Sequence, residues 1–243
     1  MIPASTKWLL REPTSAEQPV LFCFPYGGAG ASSLRRWPSR IGDLEVQAVQ
    51  LPGRENRILE PHYTDFDTFA RDAVEALLPY LDRPYAVLGH CMGALLAHAF
   101  VARAEEVGAP PPRRLFVSAS LVPYRGFYGF YHPWMSDRRI AAELQRVSRD
   151  LGDGELPGEL VGLATRVLRA DVSMCLGYLP PIRPVRTPIS VIGWDGDVDV
   201  DKDDLAEWDE YGRTRQHLLP GEPLTFLTAP AGIRNVIEDD FEF

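Results

Sequence analysis

Short apolar runs alternate along the chain with longer stretches in which apolar positions recur every three or four residues. "PVLFCF" (19–24) is such a run, stopped by Pro25 and the glycine-rich turn "PYGGAGASS". It predicts a buried strand followed by a loop. "EVQAVQL" (45–51) predicts the next strand, ended by Pro52 and Gly53. Residues 65–81, "DFDTFARDAVEALLPYL", place Phe66, Phe69, Val74, Leu77 and Leu78 on one side of a helix. A strand follows at "YAVLGH" (85–90), a helix at "MGALLAHAFVARAEEVG" (92–108) and a strand at "RLFVSAS" (114–120). Strands alternating with helices predict a mostly parallel sheet covered on both faces.

From about Leu121 to Pro184 the strand pattern stops. Ser136 and Asp137 give a cap signal for a helix over 136–148, and 160–179 reads as a second, longer helix. Strands resume at "PISVIGW" (188–194); "DDLAEW" (203–208) reads as a short helix and "RQHLLP" (215–220) as a last strand. The expected organisation is a single α/β domain over 1–243 with a helical lid inserted at 121–184.

Composition narrows the function. The 243 residues suit one domain, and 45% hydrophobic with 24% charged residues is an ordinary globular balance. A net charge of −9 argues against nucleic acid or an anionic membrane as partner. No apolar run approaches the ~20 residues of a membrane span. "MIPASTKWLLREPTS" lacks the basic start and apolar core of a signal peptide. Three cysteines, an odd number, do not make a disulfide framework, so a reduced, cytoplasmic setting is expected. A monomer is expected as well. The acidic run from Asp195 to Asp201 fails the calcium-loop template. Counted from Asp195, Val200 holds the glycine position and Ala206 the glutamate position; counted from Asp197, they are Lys202 and Trp208. No metal site is expected.

The chemistry starts at "LGHCMGA" (88–94). Its G-x-[nucleophile]-x-G spacing lies between a strand and a helix, the context that motif requires, but Cys91 stands where serine is usual. A helix N-terminus favours an anion, so a thiolate is stabilised there. The N–H of Met92 can serve an oxyanion. Gly27, in the glycine-rich loop after the first strand, can supply the second N–H.

"FPYGGAGASS", "LPGRENRILEP" (51–61), "LGHCMGA", "HPWMSDRRI" (132–140) and "GDVDV…DDLAEW" together resemble the type II thioesterases of polyketide and nonribosomal peptide assembly lines, from about Phe22 to Trp208. That resemblance implies an α/β-hydrolase fold with a helical lid. It implies an acyl or polyketide substrate held on the phosphopantetheine arm of an acyl or peptidyl carrier protein, with no cofactor of the enzyme's own. It also implies a triad of nucleophile, acid and histidine in that order, with Asp197 as the acid.

The histidine is the departure. The family follows its last strand with "PGGHFF". Here the text is "LLPGEPLTFL", with Glu222 and Pro223 where Gly and His are expected, and no histidine follows His217. His217 and Glu222 are the candidate substitute bases. A serine hydroxyl needs a base near neutrality, whereas a cysteine ionises far more readily. Cysteine for serine and the loss of histidine are therefore chemically consistent as a pair. A deliberate serine-to-cysteine exchange would leave the histidine in place. Attack of Cys91 on a thioester exchanges one thioester for another. Release by water then lacks the base that typically contributes 10²–10⁴-fold. Acyl transfer or cyclisation is the expected outcome. The alternatives are hydrolytic editing through a substitute base, a non-catalytic carrier-binding protein, and a non-covalent cyclase using the lid pocket.

The segment "LVPYRGFYGFYHPWM" (121–135) follows a strand's carboxyl end, where α/β ligand sites form. Tyr26, His90, Phe127, Tyr128, Tyr131, Trp134 and Met174 are the expected walls of an apolar acyl pocket. Arg35, Arg36, Arg138 and Arg139 are candidates for a local basic patch facing an acidic carrier.

Overall fold

The computed structural model describes residues 7–126, 129 and 131–242. Among these, seven strands form one sheet: β1 (Val20–Phe24), β2 (Arg40–Ile41), β3 (Leu44–Ala48), β4 (Tyr85–His90), β5 (Arg114–Ser118), β6 (Ile189–Trp194) and β7 (Thr214–Leu219). Their spatial order is β2-β3-β1-β4-β5-β6-β7, and every neighbouring pair is parallel except β2 with β3. The helices are α1 (Phe66–Leu77), α2 (Met92–Glu106), α3 (Asp137–Asp150), α4 (Gly158–Leu176) and α5 (Ala231–Phe241).

The two-residue period of a strand divides the core into two layers. Val20, Phe22 and Phe24 of β1 point to the face covered by α1 and α2, where they join Phe69, Leu77, Leu96 and Phe100. Leu21 and Cys23 point to the other face and join Ile233, Ile237 and Phe241 of α5. Helix starts follow the caps read from sequence. Asp65 accepts a bond from the Thr68 N–H at 2.7 Å, and Ser136 from the Arg139 N–H at 3.3 Å.

The expected lid segment folds as α3 and α4. Met135, Ile140 and Leu168 form their shared apolar seam, with Tyr131, Leu144 and Val172 against it. Two details differ from expectation. β2 has only two residues, too few for a periodic signal. The stretch expected as a short helix at 203–208 is a 3₁₀ helix over Lys202–Tyr211, opened by the Asp201 carboxylate on the Asp203 N–H at 2.9 Å.

The C-terminal stretch forms α5, pinned to the sheet by Asp240. This carboxylate has no exposed side-chain surface. It accepts from Ser190 Oγ at 2.6 Å and from Arg215 at 2.7 Å, and it meets His217 Nε2 at 2.7 Å. Burial pushes the carboxyl up, but the bonds from Ser190 and His217 and the charges around it more than offset this, leaving it below its ordinary 3.8. A folded value below the unfolded one stabilises the fold above the unfolded value and is lost as the pH falls through the folded one. The urea midpoint is therefore expected to drop as pH falls below about 3.8, with a smaller drop in Asp240→Asn. That variant should also cost about 2–3 kcal/mol at neutral pH. Equal acid sensitivity in the two proteins would contradict the assignment.

Candidate active site

Cys91 sits at the turn from β4 into α2, with φ 52° and ψ −125°. A non-glycine residue held there stores about 1–3 kcal/mol of strain. Backbone bonds impose it: the Cys91 N–H donates to the Ser118 carbonyl at 2.8 Å, and the Cys91 carbonyl accepts from Ala94 at 2.9 Å. The two flanking glycines are forced by close approach. A Cβ on Gly89 would lie 1.9 Å from the Gly93 carbonyl oxygen, and one on Gly93 would lie 2.5 Å from that of Phe24. The side chain is thereby presented at the start of α2, where the first backbone N–H groups, including that of Met92, have no partner within the helix.

His90 forms the floor below the elbow rather than a pocket wall, which corrects the expectation from sequence. It is 4% exposed and stacks on Phe226 at 4.2 Å between ring centroids. Trp194 Nε1 donates to Ser118 Oγ at 3.0 Å, and that hydroxyl meets His90 Nδ1 at 3.0 Å. Burial pushes the imidazole down to about 3, which keeps it neutral.

The glycine-rich loop after β1 carries Gly27 and is tied down by the "PGRENR" segment. Gln50 Oε1 accepts from the Ala31 N–H at 2.9 Å. The Glu55 carboxylate accepts from the N–H of Ser32 at 3.2 Å and from its hydroxyl at 2.5 Å. Arg54 donates to the Ala29 carbonyl at 2.8 Å. Its guanidinium also forms a buried two-point pair with Asp171 of α4, at 2.7 and 2.8 Å. Sequence reading missed the role of Arg54 and named Asp171 not at all; the "PGRE" motif carried the only signal, as a family signature.

Asp197 lies in the loop after β6. Its Oδ1 accepts from the N–H groups of Asp199 at 2.9 Å and Val200 at 3.1 Å, and burial raises its carboxyl above the ordinary value. The loop after β7 is joined to this one: the Gly196 N–H donates to the Gly221 carbonyl at 3.0 Å, and the Gly221 N–H to Asp195 at 2.7 Å. Glu222 is exposed and immediately precedes a 3₁₀ turn over Pro223–Thr228. Pro223 opens that turn, which carries Phe226 onto His90. His217 does not join this group. Its Nε2 is taken by Asp240 beneath α5, which accounts for it as a structural tie.

A partly open cleft of about 310 Å³ lies between α3, α4 and the segment before α3, with Tyr131, Ile140, Leu168, Val172 and Leu176 among its lining residues. Tyr131 lines this cleft. It feels the charge of Cys91, as do Tyr26 and Cys175, and burial pushes the Tyr26 and Tyr131 hydroxyls up to about 12. Trp134 departs from expectation: it is 82% exposed, stacked on His132 at the surface. Met174, 4% exposed, lines a small cavity with Arg54, Met92 and Asp171. Phe127 and Tyr128 lie outside the described residues. Of the expected basic patch, Arg35 and Arg36 both pair with Asp153 in the α3–α4 connection. Among the described residues, no group of three or more His, Cys, Asp or Glu side chains is arranged to hold a metal ion.

A thioesterase domain model matches residues 19–239. The protein named linear gramicidin dehydrogenase LgrE, from Brevibacillus parabrevis, is 31% identical over 98% of this chain and 93% of its own. The structure of RedJ, a thioesterase of the prodiginine biosynthetic pathway in Streptomyces coelicolor, is 31% identical with a TM-score of 0.77, covering 100% of this chain and 96% of its own. The structure of BorB, a type II thioesterase from the borrelidin biosynthetic cluster, is 28% identical with a TM-score of 0.80, covering 98% of this chain and 100% of its own. With the elbow intact and the match spanning β1 to α5, the chain belongs to the thioesterase family and is an enzyme of the α/β-hydrolase superfamily, with type II thioesterases among its relatives.

Proposed function

We propose that this thioesterase works in nonribosomal peptide or polyketide biosynthesis, takes an acyl group from a carrier-protein phosphopantetheine onto Cys91, and passes it to a nucleophile other than water. One observation carries this reading: a cysteine occupies the elbow, and the segment after β7, where the family resemblance puts the triad histidine, holds Pro223 at the start of a 3₁₀ turn and no histidine. The pathway is supported by relatives such as RedJ, and a cytoplasmic setting fits the need for a reduced thiol. No described helix is long and apolar enough to cross a membrane.

The thiolate of Cys91 attacks the thioester carbonyl. The oxyanion of the tetrahedral intermediate accepts from the N–H groups of Met92 and Gly27. Collapse expels the pantetheine thiolate, which takes up a proton from solvent, and the acyl group is left on sulfur. Asp197, whose carboxylate is held by the N–H groups of Asp199 and Val200, lies in the loop bonded to the one after β7. The lid cleft lined by Tyr131, Leu168 and Val172 is the place for the acyl chain. Water attacks the acyl-cysteine slowly without a base, whereas an amine or thiol needs less help.

Intact-protein mass spectrometry after mixing with an acyl carrier protein tests this. An acyl adduct on Cys91 should accumulate, persist in buffer and clear on addition of an amine or a small thiol. Rapid Cys91-dependent release of free acid would overturn it. That result would favour hydrolytic editing, for which Glu222 has a specific claim: a Cβ on Gly196 would lie 3.4 Å from Glu222 Cγ, beside the Asp197 loop.

A further inference from the structure

Helix α4 rests on the oxyanion loop through two side chains three residues apart. Leu168 covers Gly28, where a Cβ would lie 3.1 Å from the leucine Cδ1 and the backbone has φ +81°. Asp171 is 3% exposed, and its carboxylate receives three bonds. The Gly28 N–H donates to Oδ2 at 2.7 Å, Arg54 Nη1 to the same oxygen at 2.8 Å, and Arg54 Nη2 to Oδ1 at 2.7 Å. Arg54 Nη1 also reaches the Ala29 carbonyl at 2.8 Å. One ion pair thus holds an N–H and a C=O of the same loop.

That loop carries Gly27, Gly28 and Gly30, and glycines leave a backbone the widest conformational freedom. An oxyanion donor must stand 2.7–3.1 Å from the developing charge. Something outside the loop has to fix it. Stability alone would not call for this pair, because a buried ion pair is commonly matched or bettered by apolar side chains of the same volume. What apolar side chains cannot do is accept the Gly28 N–H.

We infer that Asp171 is a positioning residue: its carboxylate, oriented by Arg54, fixes the Gly28 peptide from the lid and thereby holds the Gly27 N–H where the oxyanion forms. The inference rests on acylation of Cys91 as proposed above, and its test separates the two. Two rates are measured on each protein. One is acylation of Cys91 by an acyl-pantetheine thioester, which needs the oxyanion site. The other is alkylation of Cys91 by iodoacetamide, which forms no oxyanion.

The double variant Arg54→Met with Asp171→Leu keeps the buried volume. It is expected to alkylate within about twofold of the parent and to acylate about 100-fold more slowly. Asp171→Asn, which keeps the shape and breaks the two-point pair, should acylate about tenfold more slowly with unchanged alkylation, and it decides the matter if the double variant does not fold. Acylation at the parent rate, or a parallel fall of both rates, would overturn the assignment. A parent protein that is never acylated would instead defeat the functional reading.

Discussion

The Cys91→Ser variant is expected to form the acyl-enzyme about 10²–10⁴-fold more slowly than the parent, the span a general base typically contributes. In a complete triad a serine is the ordinary nucleophile, because a histidine removes its proton during attack. Here the last histidine of the sequence, His217, is bound to Asp240, and Pro223 stands where the family resemblance puts the triad histidine. A hydroxyl, scarcely ionised near neutrality, is left without help, whereas the thiol supplies its own anion. The measurement is the rate of adduct formation with one acyl-pantetheine thioester, followed by intact mass. Equal rates for the two proteins would mean that a working base is present after all, and Glu222 would be the first residue to replace.

Gly89→Ala is expected to cost about 3 kcal/mol or more, at the upper end of overpacking effects. The added methyl would meet the Gly93 carbonyl oxygen at 1.9 Å, its carbon at 2.2 Å and the Ala94 nitrogen at 2.4 Å. All three are backbone atoms in the first turn of α2, so no side chain can rotate aside. β4 or α2 must move instead, and both are packed on buried neighbours along their length. Against a typical total of 5–15 kcal/mol, such a loss is a large share. The urea midpoint checks this, and an unchanged midpoint would show that the elbow yields.

Much of this was legible from the chain. The strands reveal themselves because four of them, β1, β4, β5 and β6, are buried on both faces and read as continuous apolar runs. The elbow is legible because glycine spacing records a backbone clash, which is a local fact. β7 is largely exposed and was still found, one residue short at its start and one residue long at its end. What stayed hidden depends on pairing across distance. Arg54 and Asp171 are 117 positions apart, and nothing local in "LRADV" marks the aspartate as an anchor for a loop near the N-terminus. His90 was visible as a position but not as a neutral floor, since Trp194, Ser118 and Phe226 come from three other segments. Trp134 was misplaced for the reverse reason: an aromatic-rich segment does not say which ring turns outward, and this one stacks on His132 at the surface.

The geometry at Cys91 has a wider consequence. Its unusual backbone is set by the Ser118 carbonyl, the Ala94 N–H and the two glycine contacts, none of which involves the sulfur. The elbow is therefore a socket, indifferent to the small group plugged into it. Changing the nucleophile requires no repacking, while changing the residue that serves it requires rebuilding a loop and the turn behind it. In such a scaffold the attacking atom is the easier half of the chemistry to exchange, and the fate of the acyl group follows from the harder half.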